Sequence, residues 1–143
     1  MKTIVMTLIS FLALPVMATP VSKLTCTTIQ EDAIVTIEFA HAFEPQNPWI
    51  GRYSFEGSLD VRPKRSRQTY QTDITLSPMS GTIGDINLRG DGHQEWVYLQ
   101  LYPQIVNGIA TGLYTGQLFI NDLAKRAYLD YRSIGDEPGL KCK

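Results

Sequence analysis

The stretch DINLRGDGHQEW, which begins at Asp85, is the part of this sequence that most resembles a chemical site. An EF-hand-type calcium loop has oxygen ligands at positions 1, 3 and 5, a glycine at position 6 and a bidentate glutamate at position 12. Counted from Asp85, Asn87 occupies position 3 and Gly90 occupies position 6. Position 5, however, is Arg89, which is a cation, and position 12 is Trp96. Two ligand positions fail, so we expect no metal site here.

The same stretch reads more simply as a β-hairpin. Its Arg-Gly-Asp tripeptide, residues 89–91, has the composition of an adhesion motif, but three common residues carry little specificity. Gly90-Asp91-Gly92 supplies residues that tolerate positive φ, between an alternating strand and a return strand that starts at Glu95. The sequence therefore predicts a turn at Gly90–Gly92.

Residues suited to catalysis are few. His41 has Glu44 three residues later, and His93 has Glu95 two residues later. The chain has no Gly-x-Ser-x-Gly elbow, no His-Glu-x-x-His pair and no phosphate-binding loop. Its fourteen acidic residues could still meet in space as a paired-carboxylate hydrolase site. We predict no catalytic residue and no cofactor, and a small hydrolase with dispersed carboxylates remains an alternative.

A long aromatic-rich segment, His41–Gly57 (HAFEPQNPWIGRYSFEG), is the best candidate for recognition. A segment of this length between strands is unusual unless it is functional or packs on itself. Tryptophan, tyrosine and arginine dominate binding energy where they cluster. The predicted binding residues are Trp49, Arg52, Tyr53, His41 and Phe43. The alternative is that Trp49 plugs one end of the fold as a core residue.

A second candidate is the basic stretch RPKRSR, whose four cations are Arg62, Lys64, Arg65 and Arg67. These side chains could contact a polyanion such as a phosphorylated glycan or a lipid head group. The alternative is a solvated loop whose charges discourage edge-to-edge strand pairing. The whole chain has a formal net charge of −1, whereas a nucleic-acid-binding domain is usually strongly basic. We therefore expect no nucleic-acid partner.

The first residues predict export. Lys2 precedes an apolar run from Ile4 to Ala18, and Val16-Met17-Ala18 would allow cleavage before Thr19. The run is short for a membrane span, and Pro15 would break it as a helix. We predict a signal peptide at 1–18, a single domain at 19–143, no membrane anchor after cleavage, and a location in the periplasm or outside the cell.

The two cysteines fit an exported domain. Cys26 lies near the start of the predicted mature chain and Cys142 lies one residue from its end. An even pair in an oxidising compartment is most simply a disulfide, so we predict that these two residues are joined.

The mature chain shows period-two alternation almost throughout, which predicts an all-β domain. The predicted strand segments are 23–29, 33–40, 58–61, 69–76, 82–89, 95–102, 109–120, 126–133 and 140–142. We expect about eight short antiparallel strands in a small closed barrel or a barrel-like sandwich. Terminal strands joined by a disulfide favour the barrel. Gly108, Gly112 and Gly116 are expected on one face of one strand, where they would permit strong curvature.

In general layout, a small exported β domain with a disulfide between its first and last strands, the chain is similar to periplasmic lysozyme-inhibitor barrels. The similarity lies in size and cysteine placement, and it transfers no residue. We predict a non-enzymatic binding protein that uses the aromatic-rich segment and a barrel cavity for a small ligand or an envelope protein. The alternative is a protein-directed inhibitor or immunity factor that inserts a loop into a partner enzyme. A cavity would favour the former, and a filled interior with a rigid protruding loop the latter.

Overall fold

The computed structural model describes residues 20–43, 55–78, 86–92 and 95–143, with side chains for 20–42, 55–76 and 97–143. All regular structure in these residues is β-strand. The strands are β1 (Val21–Thr28), β2 (Ala33–Phe43), β3 (Phe55–Pro63), β4 (Tyr70–Pro78), β5 (Ile86–Gly92), β6 (Glu95–Val106), β7 (Ile109–Asp122), β8 (Ala127–Tyr131) and β9 (Leu140–Cys142). Within the described ranges no helix is long and apolar enough to cross a membrane.

The strands pair antiparallel in a continuous ring. Strands β1 to β7 each pair with the next strand along the chain. The short strand β9 then lies between β7 and β1 and links the two ends of the sheet. Strand β8 pairs with the last part of β7, from Leu118 to Asp122. The ring confirms the predicted all-β, barrel-like fold.

One face of this curved sheet forms the core. On β3, for example, Leu59 and Val61 are fully buried, whereas Glu56 and Arg62 are exposed. The alternation follows from strand geometry, because successive side chains point to opposite faces. The core cluster consists of Leu24, Cys26, Ala33, Val35, Ile37, Phe39, Phe55, Leu59, Val61, Tyr70, Ile74, Leu76, Val97, Leu99, Leu101, Tyr114, Leu118, Ile120, Leu140 and Cys142.

The predicted disulfide is present. Cys26 of β1 and Cys142 of β9 are directly paired in the sheet, and their sulfur atoms are 2.06 Å apart. The bond joins the first and last strands across a sequence separation of 116 residues. It therefore secures the three-residue strand that completes the ring.

Two expectations about turns and glycines need correction. The residues Gly90–Gly92 are paired strand residues of β5, opposite Val97 to Glu95, so β5 and β6 form a hairpin but these three residues are not its turn. The three glycines do not share one strand face. Gly108 has φ +78° in the β6–β7 turn, and Gly112 has φ +80° at an irregularity in the strand pairing. Gly116 alone faces the core, where a Cβ would collide with the Gln100 carbonyl.

The end of the barrel where β7 finishes is held by polar contacts. The buried carboxylate of Asp122 accepts a hydrogen bond from the Tyr70 hydroxyl at 3.2 Å and from the Lys125 backbone amide at 2.8 Å. The Lys125 Nζ in turn donates to the Gln71 carbonyl at 2.8 Å. These bonds fasten the β7–β8 turn to the start of β4. Residues 123–126 form this turn, in which the Arg126 amide donates to the Leu123 carbonyl at 3.4 Å.

Candidate binding surfaces

The aromatic-rich segment is only partly described. His41 is exposed near the end of β2, and the backbone of Phe43 ends that strand. Trp49, Arg52 and Tyr53 lie outside the described residues, so their role in binding stays a prediction. Strand β2 finishes and β3 begins at the same end of the barrel as the turn of the β6–β7 hairpin.

The interior of the barrel is occupied by side chains. The inward-facing residues of all the ring strands that have described side chains belong to one buried cluster. Leu59, Leu99 and Leu118, on three different strands, have no exposed surface. A ligand-binding barrel needs a concave, accessible cavity of several hundred cubic ångströms. The packing of the described core side chains therefore does not support the predicted barrel cavity.

The outer wall of strands β1 to β4 holds a polar depression of about 700 Å³. Its charges largely satisfy one another. Lys23 pairs with Glu38 at 2.7 Å, and Arg62 makes two hydrogen bonds to Asp60 at 2.9 and 3.1 Å. Gln71 also donates to Asp60 at 2.6 Å. Most charged side chains of this depression are therefore paired with one another.

Asp60 on this wall and Asp130 on β8 do not have the properties of a hydrolase acid. The hydrogen bonds from Arg62 lower the pKa of Asp60 despite its partial burial. The hydrogen bonds from Arg132 likewise lower the pKa of Asp130 on β8. A general acid at neutral pH needs a raised pKa, so both shifts run in the unsuitable direction. The hydrolase alternative gains no support from these two groups.

The predicted polyanion residues fall into two groups. Arg62 belongs to β3 and is committed to Asp60 on the outer wall. Lys64, Arg65 and Arg67 are exposed in the loop between β3 and β4. They form no ion pair with any residue that the structure describes. The loop, and not the strand, therefore carries the available positive charge.

The β6–β7 hairpin extends beyond the described parts of its neighbours β5 and β9, and we call residues 102–113 the hairpin tip. The last pairing of β5 with β6 is at Leu101, and the last pairing of β9 with β7 is at Tyr114. Among the described residues, β6 beyond Leu101 pairs only with β7, and β7 before Tyr114 pairs only with β6, as in the pair Val106–Ile109. The tip is therefore a two-stranded projection.

Two local features fix the shape of the hairpin tip. The turn residues Asn107 and Gly108 have φ values of +52° and +78°, the combination of a type I′ turn, which matches the twist of a hairpin. A bulge at Gly112 shifts the register between Pro103 and Ile105, and the Thr111 hydroxyl donates to the Gln104 carbonyl at 3.1 Å. Bulges re-aim a strand and increase its twist.

The hairpin tip is apolar on both faces. Ile105 is 54% exposed, Val106 57% and Ile109 64%. The cross-strand pair Val106–Ile109 lies on one face, and the pair Ile105–Ala110 lies on the other. Both arms therefore present aliphatic side chains to solvent at the point farthest from the core.

Reasoning from sequence missed this surface, although a signal was available. No charged residue or histidine occurs between Glu95 and Asp122, and this interval contains the Asn-Gly turn. Alternation assigns residues to two faces but does not show where the neighbouring strands end. Past the described ends of β5 and β9, the side chains of β6 and β7 that would otherwise point into the barrel are exposed, as are those on the opposite face.

No protein-family model matches this sequence, and no curated protein or solved structure matches it significantly. The function is therefore inferred from the residues of this chain.

Proposed function

We propose that this chain is an exported, non-enzymatic binding protein that docks onto a partner protein through its hairpin tip. The observation that carries the proposal is the exposed aliphatic group at Ile105, Val106 and Ile109, on an arm with fixed turn geometry. Exposed apolar residues that are grouped together mark interaction sites more often than scattered ones do. The disulfide, together with the signal peptide that the sequence predicts, would suit an oxidising exported compartment.

The shape of the tip indicates the kind of partner. Small-molecule sites are concave, whereas the tip is a convex projection. Its natural complement is a cleft in another protein, lined by apolar residues and able to receive a two-residue turn. An enzyme active-site cleft has this form, so the proposal favours the inhibitor or immunity-factor alternative over a cavity-based ligand carrier. A fixed hairpin also loses little conformational entropy on insertion.

A photo-crosslinking amino acid placed at position 109 tests the proposal in the exporting cell. We expect it to trap one discrete protein from the envelope, because aliphatic residues at a partner interface lose contact with water on binding. The same crosslinker at Ile134, which is 69% exposed in the loop before β9, is the matched control and should trap no such species. Purified partner should then bind the wild-type chain in a one-to-one complex.

Three results would contradict the proposal. A crosslinked dimer of this chain would show that the tip pairs with a second copy. Adducts with lipid alone would show that the tip inserts into a bilayer. The same trapped protein from positions 109 and 134 would show that capture does not depend on the tip.

A further inference from the structure

A groove of about 580 Å³ lies at the end of the barrel opposite the hairpin tip. One side is formed by Pro63, Ser66 and residues 68–71, and the other by residues 125–129. The two sides are far apart in sequence, and the Lys125–Gln71 hydrogen bond holds them together. We call this region, residues 63–71 together with 122–129, the basic end. Along β7, Asp122 at the basic end and Ile109 beside the turn of the hairpin tip are about 40 Å apart, at roughly 3.3 Å per residue.

Free positive charge is concentrated at the basic end. Lys64, Arg65 and Arg67 on one side and Arg126 on the other are exposed. In the described part of the chain none of these four side chains has an ion-pair partner. Lys125 is committed to Asp122 at 3.8 Å and to the Tyr70 ring at 4.9 Å, so it contributes charge but is held in place.

Two of the acidic groups nearby are engaged in other contacts. The buried Asp122 is occupied by Tyr70 and Lys125. Asp32, in the neighbouring β1–β2 turn, accepts a hydrogen bond from the Thr28 hydroxyl at 2.5 Å. Glu31 in the same turn is exposed. The whole chain has a formal net charge of −1, so the exposed cations of the basic end are a local concentration of positive charge.

Exposed apolar side chains accompany the cations. Leu123, in the β7–β8 turn, is 70% exposed, and Tyr128 at the start of β8 is 66% exposed. Both flank Lys125 and Arg126 in sequence. A site for a soluble anion needs donors but no exposed leucine. A membrane surface uses both, because cations contact the head groups while aliphatic and aromatic side chains enter the interface.

We propose that the basic end binds the surface of an anionic phospholipid bilayer. Lys64, Arg65, Arg67 and Arg126 contact lipid phosphates, and Leu123 and Tyr128 enter the interfacial layer. The bound protein then holds its hairpin tip away from the bilayer, at the opposite end of β7. The proposal is independent of the tip's function, since it rests on different residues.

Vesicle binding provides the test. The full mature protein is mixed with vesicles of phosphatidylcholine and phosphatidylglycerol, and with vesicles of phosphatidylcholine alone. We expect binding to the anionic vesicles only, with weakening as salt is raised. The double variant Arg65→Gln/Arg67→Gln should lower the partition coefficient about 30-fold, the effect expected for two cations near an anionic surface. The matched control Lys141→Gln/Lys143→Gln removes the same charge from the far side of the ring and should have little effect.

A second pair of variants tests the apolar contribution. Leu123→Ser should weaken vesicle binding several-fold, because one aliphatic side chain no longer enters the interface. Ile134→Ser, at a side chain of equal exposure outside the basic end, should leave binding unchanged. Thermal melts of all variants should coincide, since every substituted side chain is exposed.

Several results would overturn the proposal. Equal binding to both vesicle types would remove the electrostatic contribution. Release of the protein from vesicles by soluble glycerol phosphate, at concentrations too low to act through ionic strength, would show that the groove binds a free phosphate ligand instead. Equal losses in the two charge variants would show dependence on total charge alone. Loss of vesicle binding in Val106→Ser/Ile109→Ser would place the membrane contact at the hairpin tip.

Discussion

Strands β6 and β7 carry similar aliphatic residues in two opposite environments. Between Val97 and Leu101, and again between Leu118 and Ile120, the inward-facing side chains are fully buried. On the turn side of Leu101 and Tyr114 the same strands have no partner in the described parts of β5 and β9, and Ile105, Val106 and Ile109 are more than half exposed. Aliphatic residues in the first region contribute to folding by burial. Those in the second region contribute little to folding, which is the basis for giving them a role in binding.

Loss of the disulfide should have the largest effect, and it should act on the barrel body. Reduction frees a loop of more than a hundred residues in the unfolded chain, and native bridges of this kind contribute about 4 kcal/mol. We expect urea unfolding under reducing conditions to show that loss. The variant Cys26→Ser/Cys142→Ser should match the reduced protein and be insensitive to reductant. An unchanged unfolding midpoint would mean that β9 is held without the bond.

A pair of alanine substitutions compares the two regions directly. Leu118→Ala removes a fully buried side chain and should lower the free energy of unfolding by about 3 kcal/mol. Ile109→Ala on the same strand should change it by less than about 0.5 kcal/mol, because the side chain is exposed. Denaturant melts measure both values. Comparable losses would show that the tip is packed against other parts of the chain.

Tyr114 marks the boundary between the two regions. Its hydroxyl is buried with no hydrogen-bond partner among the described groups, and burial raises the pKa of Tyr114 to about 12. An unfolded tyrosine ionises near pH 10, so the unfolded state loses this proton first. Stability should therefore fall as pH rises from about 10 towards 12, by about 2 kcal/mol.

The control for this prediction is Tyr114→Phe, which removes the ionisable group and keeps the ring. Unfolding curves measured across the alkaline range should show a smaller loss for the variant than for the wild type. At neutral pH the variant should be as stable as the wild type or slightly more stable, because an unsatisfied buried hydroxyl has been removed. Parallel alkaline profiles would indicate that Tyr114 is solvated.

The two glycines of β7 should respond differently to an added methyl group. Gly112→Ala should cost about 1 kcal/mol, because φ is +80° and the added Cβ meets no other atom. Gly116→Ala, four residues towards the barrel, should cost considerably more, because its Cβ would collide with the Gln100 carbonyl. Urea melts of both variants measure the difference. Equal losses of stability in the two variants would indicate that a Cβ at Gly116 can be accommodated.

Much of the fold follows from the sequence. Alternation locates each strand to within a few residues, and the end positions of Cys26 and Cys142 indicate how the sheet joins. The pairing register of the strands does not follow from the sequence. The bulge at Gly112 depends on how β6 and β7 pair, and this pairing separates Gly108, Gly112 and Gly116 into a turn, a bulge and a close approach.

The candidate surfaces were less predictable, for two physical reasons. The exposure of Ile105 and Ile109 depends on where β5 and β9 end, which is a property of neighbouring strands. The basic end depends on a contact between residues 63–71 and 125–129, which are separated by a large part of the chain. The sequence identified Arg65 and Arg67 but gave no indication that Arg126 lies at the same end of the barrel.

The central claim is that the aliphatic residues of the hairpin tip serve binding and not folding. The most direct test measures both quantities on one variant, Val106→Ser/Ile109→Ser. With the crosslinked partner purified, we predict at least a 100-fold rise in Kd, since two aliphatic side chains at about 1.5 kcal/mol or more each are lost from the interface. The free energy of unfolding should change by less than about 0.5 kcal/mol. An unchanged Kd, or a loss of affinity that follows a loss of stability, would contradict the claim.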